Sequence, residues 1–141
     1  MKKETQYCGS FPSWTNSRFS SFIKSALRAA SSRWPPSFEC LKNAFVGVKE
    51  NKKTGRQAKH YKCNCCYGEF PSSEVQRDHI IPVIDPFKGF TTWDSVIERM
   101  FCSAEGFQIL CKPCHAIKTK KEREQRKQLT AGKQKGIIDE E

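Results

Sequence analysis

Residues 5–38 contain no aspartate or glutamate. Such a stretch is not an ordinary mixed-charge surface, and its cations are available to a polyanion. Long apolar runs are also missing: nothing approaches the ~18 residues of a membrane span, so no membrane contact is expected. Met1-Lys2-Lys3 is basic, but no apolar segment of the kind found in secretory signals follows it. An intracellular, cytoplasmic protein is the expectation. Apolar material is scarce throughout, with a mean hydropathy of −0.68 and 28% charged residues. The 141 residues therefore suit one compact domain with a modest core and an added arm or tail.

What is present is positive charge, unevenly spread. The net charge is +10. Residues 1–62 hold 13 Lys/Arg against 3 Asp/Glu, residues 63–114 hold 4 against 7, and residues 115–141 hold 8 against 5. Two basic arms flank a mildly acidic middle. The plain reading is a solvated lysine-rich surface; the sharper one, favoured here, is nucleic acid as partner.

Eight cysteines in 141 residues fall below the ~8–10% of a secreted disulfide scaffold. Cys63/Cys66 and Cys111/Cys114 each enclose two residues, the spacing of a metal knuckle. Two such pairs converge on one tetrahedral Zn²⁺ if the chain between them folds back. Four thiolates saturate the ion, which makes it structural rather than catalytic. Cys65 offers other pairings, but the Cys63/Cys66 spacing matches the second knuckle. A redox dithiol is the rival reading. Cys8, Cys40 and Cys102 read as small buried or surface hydrophobes.

Along the chain, Phe19, Phe22, Ile23, Ala26, Leu27 and Ala30 fall at helical spacing, with Arg18 and Arg28 elsewhere on the wheel. This predicts a basic amphipathic helix, stopped by Pro35-Pro36. The Arg/Ser-rich composition also has something of an organelle transit peptide, though basic residues continue well past the helix. Ser37 is expected to cap a second helix carrying Phe38, Leu41 and Phe45. The segment ENKKTGR, residues 50–56, predicts a turn between two strands, giving Lys52, Lys53, Arg56, Lys59 and Lys62 one positive face for nucleic acid. Thr92 is a candidate N-cap before Trp93, Val96, Ile97 and Met100, a core helix by spacing. Residues 107–110 predict a strand. Pro113 suits the first turn of a helix reaching about Gln128, followed by a disordered tail. The divisions expected are a basic arm over 1–59, a knuckle-bearing domain over 60–128, and a tail over 129–141.

Only three histidines occur: His60, His79 and His115. His60 takes the structural reading. Asp78 and His79 lie between the knuckles, and His115 follows Cys114 directly. A carboxylate with one imidazole can hold a divalent cation with positions open for water and phosphate oxygens. The other imidazole, His79, can take a proton from water. Lys118 lies one helical turn from His115 and is a candidate phosphate contact. The plain alternative gives Asp78 a capping role or an ion pair with Arg77.

Cys63-x-x-Cys66, Asp78-His79-Ile80-Ile81-Pro82, and Leu110-Cys111-x-x-Cys114-His115-x-x-Lys118-Thr119 together resemble a zinc-containing HNH endonuclease, similar to the small phage and homing types. The resemblance covers about residues 60–121. It implies a small α+β, zinc-stabilised ββα-metal fold with Asp78 and His79 on the first strand and His115 on the helix. It further implies His79 as general base, Asp78 and His115 as ligands of a catalytic Mg²⁺ or other divalent cation, and Cys63, Cys66, Cys111 and Cys114 as zinc ligands. DNA is the implied partner, with cleavage leaving 5′-phosphate and 3′-hydroxyl ends and the protein acting as a monomer or transient dimer. One departure is visible. The family's middle Asn, which braces the loop carrying the base, is Gly106 here, with Glu105 or Asp94 as candidate replacements. If the brace is missing, Gly106→Asn is expected to raise activity. The rival class is a non-catalytic zinc-ribbon nucleic-acid adaptor, which leaves Asp78, His79 and His115 without a joint role.

Overall fold

The computed structural model describes Phe11 and residues 13–138, with side chains through Gly132. Cys8 and residues 139–141 lie outside the described residues. The chain divides into two compact units, one ending at Trp34 and one beginning at Pro35.

The first unit carries helix α1, Asn16–Ser31. Thr15 caps it by accepting from the Arg18 amide at 3.2 Å. Trp14 packs edge-on against Phe11 and Phe22, at 5.8 and 5.3 Å, and the Arg18 guanidinium lies 4.5 Å over its ring. The expected apolar stripe is present, yet no residue of α1 is buried, and Phe22 remains 55% exposed.

The second unit is a small α+β domain. Helix α2, Pro35–Ala44, begins on a proline, whose missing N–H costs nothing in a first turn. Ser37 is therefore not its cap. It lies inside the first turn, is buried, and accepts from Arg77 Nη1 at 2.6 Å. That guanidinium also covers the Phe38 ring at 4.5 Å, so Arg77 ties β4 to α2. Phe45 falls in the following strand rather than in the helix.

Strands β1, Phe45–Glu50, and β2, Gln57–Lys62, form the expected antiparallel hairpin, and β3, Glu69–Pro71, adds to β2. In the hairpin turn the Asn51 side chain accepts from the Lys53 amide at 3.0 Å, and Gly55 takes φ +72°, a conformation glycine enters without strain. The expected arm boundary at residue 59 thus falls inside a sheet. A second sheet pairs β4, Val75–His79, antiparallel with β5, Phe107–Cys111. Its register sets Asp78 opposite Gln108 and His79 opposite Phe107. Helix α3, Trp93–Met100, has Thr92 as its cap, accepting from Ser95 N at 3.1 Å. Val96 and Met100 are its buried residues. Helix α4, Lys112–Ile138, continues past the expected end near Gln128, so the expected tail is helical through Ile138.

The core is small and centred on sulfur. Cys63, Leu110 and Cys111 are buried together, with Phe70 and Cys114 packed against them. The Asn64 amide donates to the Ile109 carbonyl at 2.8 Å, joining the first knuckle to the second sheet.

Candidate metal centre and adjoining acid–imidazole cluster

The two knuckles are built by different elements. The first is the turn between β2 and β3, closed by Cys63 N to Gly68 O at 2.9 Å and by Tyr67 N to Cys63 O at 3.0 Å. Tyr67 takes φ +61°, uncommon for a bulky residue. The second knuckle is the step from β5 into α4. The Sγ atoms of Cys63, Cys66, Cys111 and Cys114 all lie within 4.8 Å of one another, with Cys66 and Cys111 at 3.9 Å. Zn–S bonds of ~2.3 Å in a tetrahedron require S···S separations of about 3.8 Å, so the donor set and spacing fit a zinc ion. Cys65 stands outside the cluster, while its amide donates to Cys63 Sγ at 3.4 Å.

The thiol chemistry points the same way. Burial pushes Cys63 up, but backbone donors at Cys111, Cys66 and Cys65 outweigh it and bring it down to about 6. Contact with the Cys111 sulfur, together with burial, pushes Cys114 far up; burial also raises Cys111. Four crowded sulfurs cannot all ionise alone, whereas a divalent cation compensates them.

The knuckles bring β4, β5 and α4 together, and Asp78 is the hub of the polar cluster where they meet. Its Oδ1 lies 3.6 Å from His115 Nε2. Its Oδ2 accepts from Gln108 Nε2 at 2.9 Å and from Lys118 Nζ at 3.0 Å. Gln108 Oε1 in turn accepts from Asn64 Nδ2 at 2.9 Å. An unbroken chain of polar side chains therefore runs from the first knuckle to the Asp78 carboxylate. One carboxylate oxygen and one imidazole nitrogen at this separation are compatible with a shared small cation, while the second carboxylate oxygen is already taken.

His79 is held differently. Its Nε2 lies 2.8 Å from the Met100 carbonyl, and its ring packs on Phe107 at 4.7 Å. A carbonyl only accepts, so Nε2 carries the proton and Nδ1 the lone pair in the neutral ring. The His79 carbonyl accepts from Lys118 Nζ at 2.9 Å, so one lysine ties the β4 main chain and the Asp78 carboxylate together. Lys118 also pairs with Glu122 at 2.8 Å. Burial pushes the Lys118 pKa down, but bonds to Glu122 and Asp78 outweigh this and leave it raised. Lys118 is thus engaged within the protein, where a phosphate contact was expected. His60 is buried, with Nδ1 on the Ala58 carbonyl at 2.9 Å, a structural role as expected.

At Gly106 the carbonyl accepts from the Ile80 amide at 2.9 Å, extending the β4–β5 ladder past His79. A Cβ there would lie 2.5 Å from Cys102 Sγ and 3.0 Å from its Cβ. An added side chain there meets Cys102, so the packing weighs against Gly106→Asn as a simple restoration of the brace. Bracing of the histidine comes from Met100 and Lys118 rather than from Glu105 or Asp94.

Of the expected nucleic-acid contacts, Lys52, Lys53, Arg56, Lys59 and Lys62 are all exposed on the hairpin. Lys53 also meets Glu74 at 2.6 Å, and Lys62 lies 5.4 Å over the Tyr67 ring. The residues that sequence reasoning missed are Asn64, the Met100 carbonyl, Gln108 as a ligand-holding group, and Glu122. Gln108 had a signal, since it sits in the slot three residues before Cys111. Met100 had none, because a main-chain carbonyl leaves no mark in side-chain identity. No family model, curated protein or solved structure matches the chain.

Proposed function

We propose that this chain is a metal-dependent HNH-type endonuclease that hydrolyses DNA phosphodiester bonds, with a ββα-metal arrangement of β4, β5 and α4. The observation that carries the reading is the fixed tautomer of His79. Its Nε2–H is committed to the Met100 carbonyl, which leaves Nδ1 as the free basic nitrogen, and the preceding residue, Asp78, pairs with His115. His79 Nδ1 removes a proton from water, the resulting hydroxide oxygen bonds to phosphorus, and the P–O3′ bond breaks, with the departing 3′-oxygen taking up a proton from solvent water. Asp78 and His115 hold a divalent cation, which supplies charge neutralisation at the phosphate when bound. Gln108 and Lys118 keep the Asp78 carboxylate aimed, and the hairpin cations hold the phosphate backbone.

The Lys118 ammonium on Asp78 favours a second reading. It neutralises the carboxylate without a cation, as a non-catalytic zinc-ribbon adaptor would need. Supercoiled plasmid incubated with zinc-loaded protein, with and without Mg²⁺ or Mn²⁺, separates the two. Metal-dependent nicking that vanishes in His79→Ala, with fold and zinc content unchanged, supports the nuclease. Equal nicking by His79→Ala removes the base, and absence of nicking across the metal series leaves the adaptor.

A further inference from the structure

An open cavity of about 410 Å³ lies beside the first knuckle, between the end of α2, the start of β1 and β5. Its wall includes Asn43, Phe45, Lys62, Asn64, Tyr67 and Gln108. Three of the six carry primary amides; Asn64 and Gln108 already bond each other and Gln108 also bonds Asp78, which leaves each of these two one further N–H donor. Two carry aromatic rings with outward surface, Phe45 at 44% and Tyr67 at 68% exposed. Lys62 supplies the cation. The size falls in the range of small-molecule sites, roughly 300–1,000 Å³.

We propose that this cavity receives one unpaired nucleobase of a nucleic-acid strand, so that the protein prefers DNA with an extruded or single-stranded nucleotide. The inference rests on the nucleic-acid reading of the proposed function. Amides match the mixed donor and acceptor edge of a base, and an aromatic face stacks on any base whatever its identity. Asn43 is exposed and lines the cavity. Tyr67 projects from a left-handed position that glycine would hold with less strain, and Lys62 sits over its ring. Gln108 belongs to both places: it contacts Asn64 on the cavity side and Asp78 on the other. A base seated in the cavity is therefore separated from the carboxylate by a single side chain. A base held in a Watson–Crick pair must leave it to enter the cavity.

The test uses the full zinc-loaded chain without added Mg²⁺ or Mn²⁺, so that binding is read apart from cutting. A short duplex with one central unpaired 2-aminopurine is compared with its fully paired counterpart by fluorescence anisotropy. The unpaired ligand is expected to bind roughly tenfold tighter, with 2-aminopurine emission quenched on binding. Asn43→Ala and Tyr67→Ala, both at exposed positions, should each reduce that preference, while Tyr67→Phe keeps it. Equal affinity for the two duplexes, or a preference untouched by both alanine variants, overturns the proposal. Competition by a free mononucleotide at equal concentration also overturns it, since the cavity would then serve a small nucleotide. Plasmid nicking without base preference sinks this proposal alone; base preference without nicking sinks only the nuclease.

Discussion

Replacing Gly106 by asparagine pushes a Cβ into a space already held by Cys102. The built distances are 2.5 Å to Sγ, shorter than real contacts of a Cβ, and 3.0 Å to Cβ, at the tight end of them. The sulfur contact is the severe one, and the Cys102 Cβ has to give by only a few tenths of an ångström. Overpacking of this kind costs about 1–3 kcal/mol. For a unit of this size each kcal/mol is worth roughly 4 °C in melting temperature, so a fall of about 4–12 °C is expected. The shift also reaches the site. Cys102 lies two residues after Met100, whose carbonyl holds His79, and the Gly106 carbonyl itself holds Ile80. Thermal melts of wild type, Gly106→Ala, Gly106→Asn and each with Cys102→Ala form a double-mutant cycle. Gly106→Ala should lose nearly as much as Gly106→Asn, and Cys102→Ala should restore more than half of either loss. Unchanged or higher stability in Gly106→Asn would refute the packing argument, as would a loss that Cys102→Ala leaves intact.

Cys111→Ser removes a buried ligand, so zinc measured by elemental analysis should fall well below one per chain, and the melt should lose cooperativity; full zinc occupancy would contradict the four-sulfur site. The Lys118 pKa is raised above its unfolded value, so its contribution is complete below about pH 10.5 and is lost as pH rises through the folded value. Urea unfolding at pH 8 and pH 11 should therefore show a gap between wild type and Lys118→Met that narrows at pH 11; a gap that widens would reverse the sign. Joint replacement of Lys52, Lys53 and Arg56 by glutamine should weaken duplex binding and lower the slope of log K against log salt by about 2–3. An unchanged slope would place the DNA elsewhere.

Much of the fold was legible because the signals were local. Thr92 caps α3 as its position ahead of an apolar helical pattern suggests, and Asn51 with Gly55 makes the hairpin turn. The Cys-x-x-Cys spacing picks out Cys66 over Cys65, and the structure gathers those four sulfurs. Ser37 misleads because a serine directly after a proline pair has the chemistry of a cap. Only the long-range contact with Arg77, forty positions away, shows that it is a buried acceptor instead. Lys118 misleads for a similar reason: helical spacing gives the face it occupies but not the carboxylate waiting there from β4. The Gly106 slot is visible in the sequence, but Cys102 as the neighbour that excludes a side chain depends on how α3 turns into β5. The end of α4 lies later than its composition suggests, because the glycine at 132 reads as a stop and the helix runs through it.

Binding of Mn²⁺ to the zinc-loaded protein, followed by electron paramagnetic resonance, tests most directly whether Asp78 and His115 form a second, open cation site. One bound Mn²⁺ is predicted in wild type and in His79→Ala, with affinity lost in Asp78→Ala and in His115→Ala while zinc stays in place. Binding that survives both of those substitutions, or no binding by the wild type with DNA present, would contradict it.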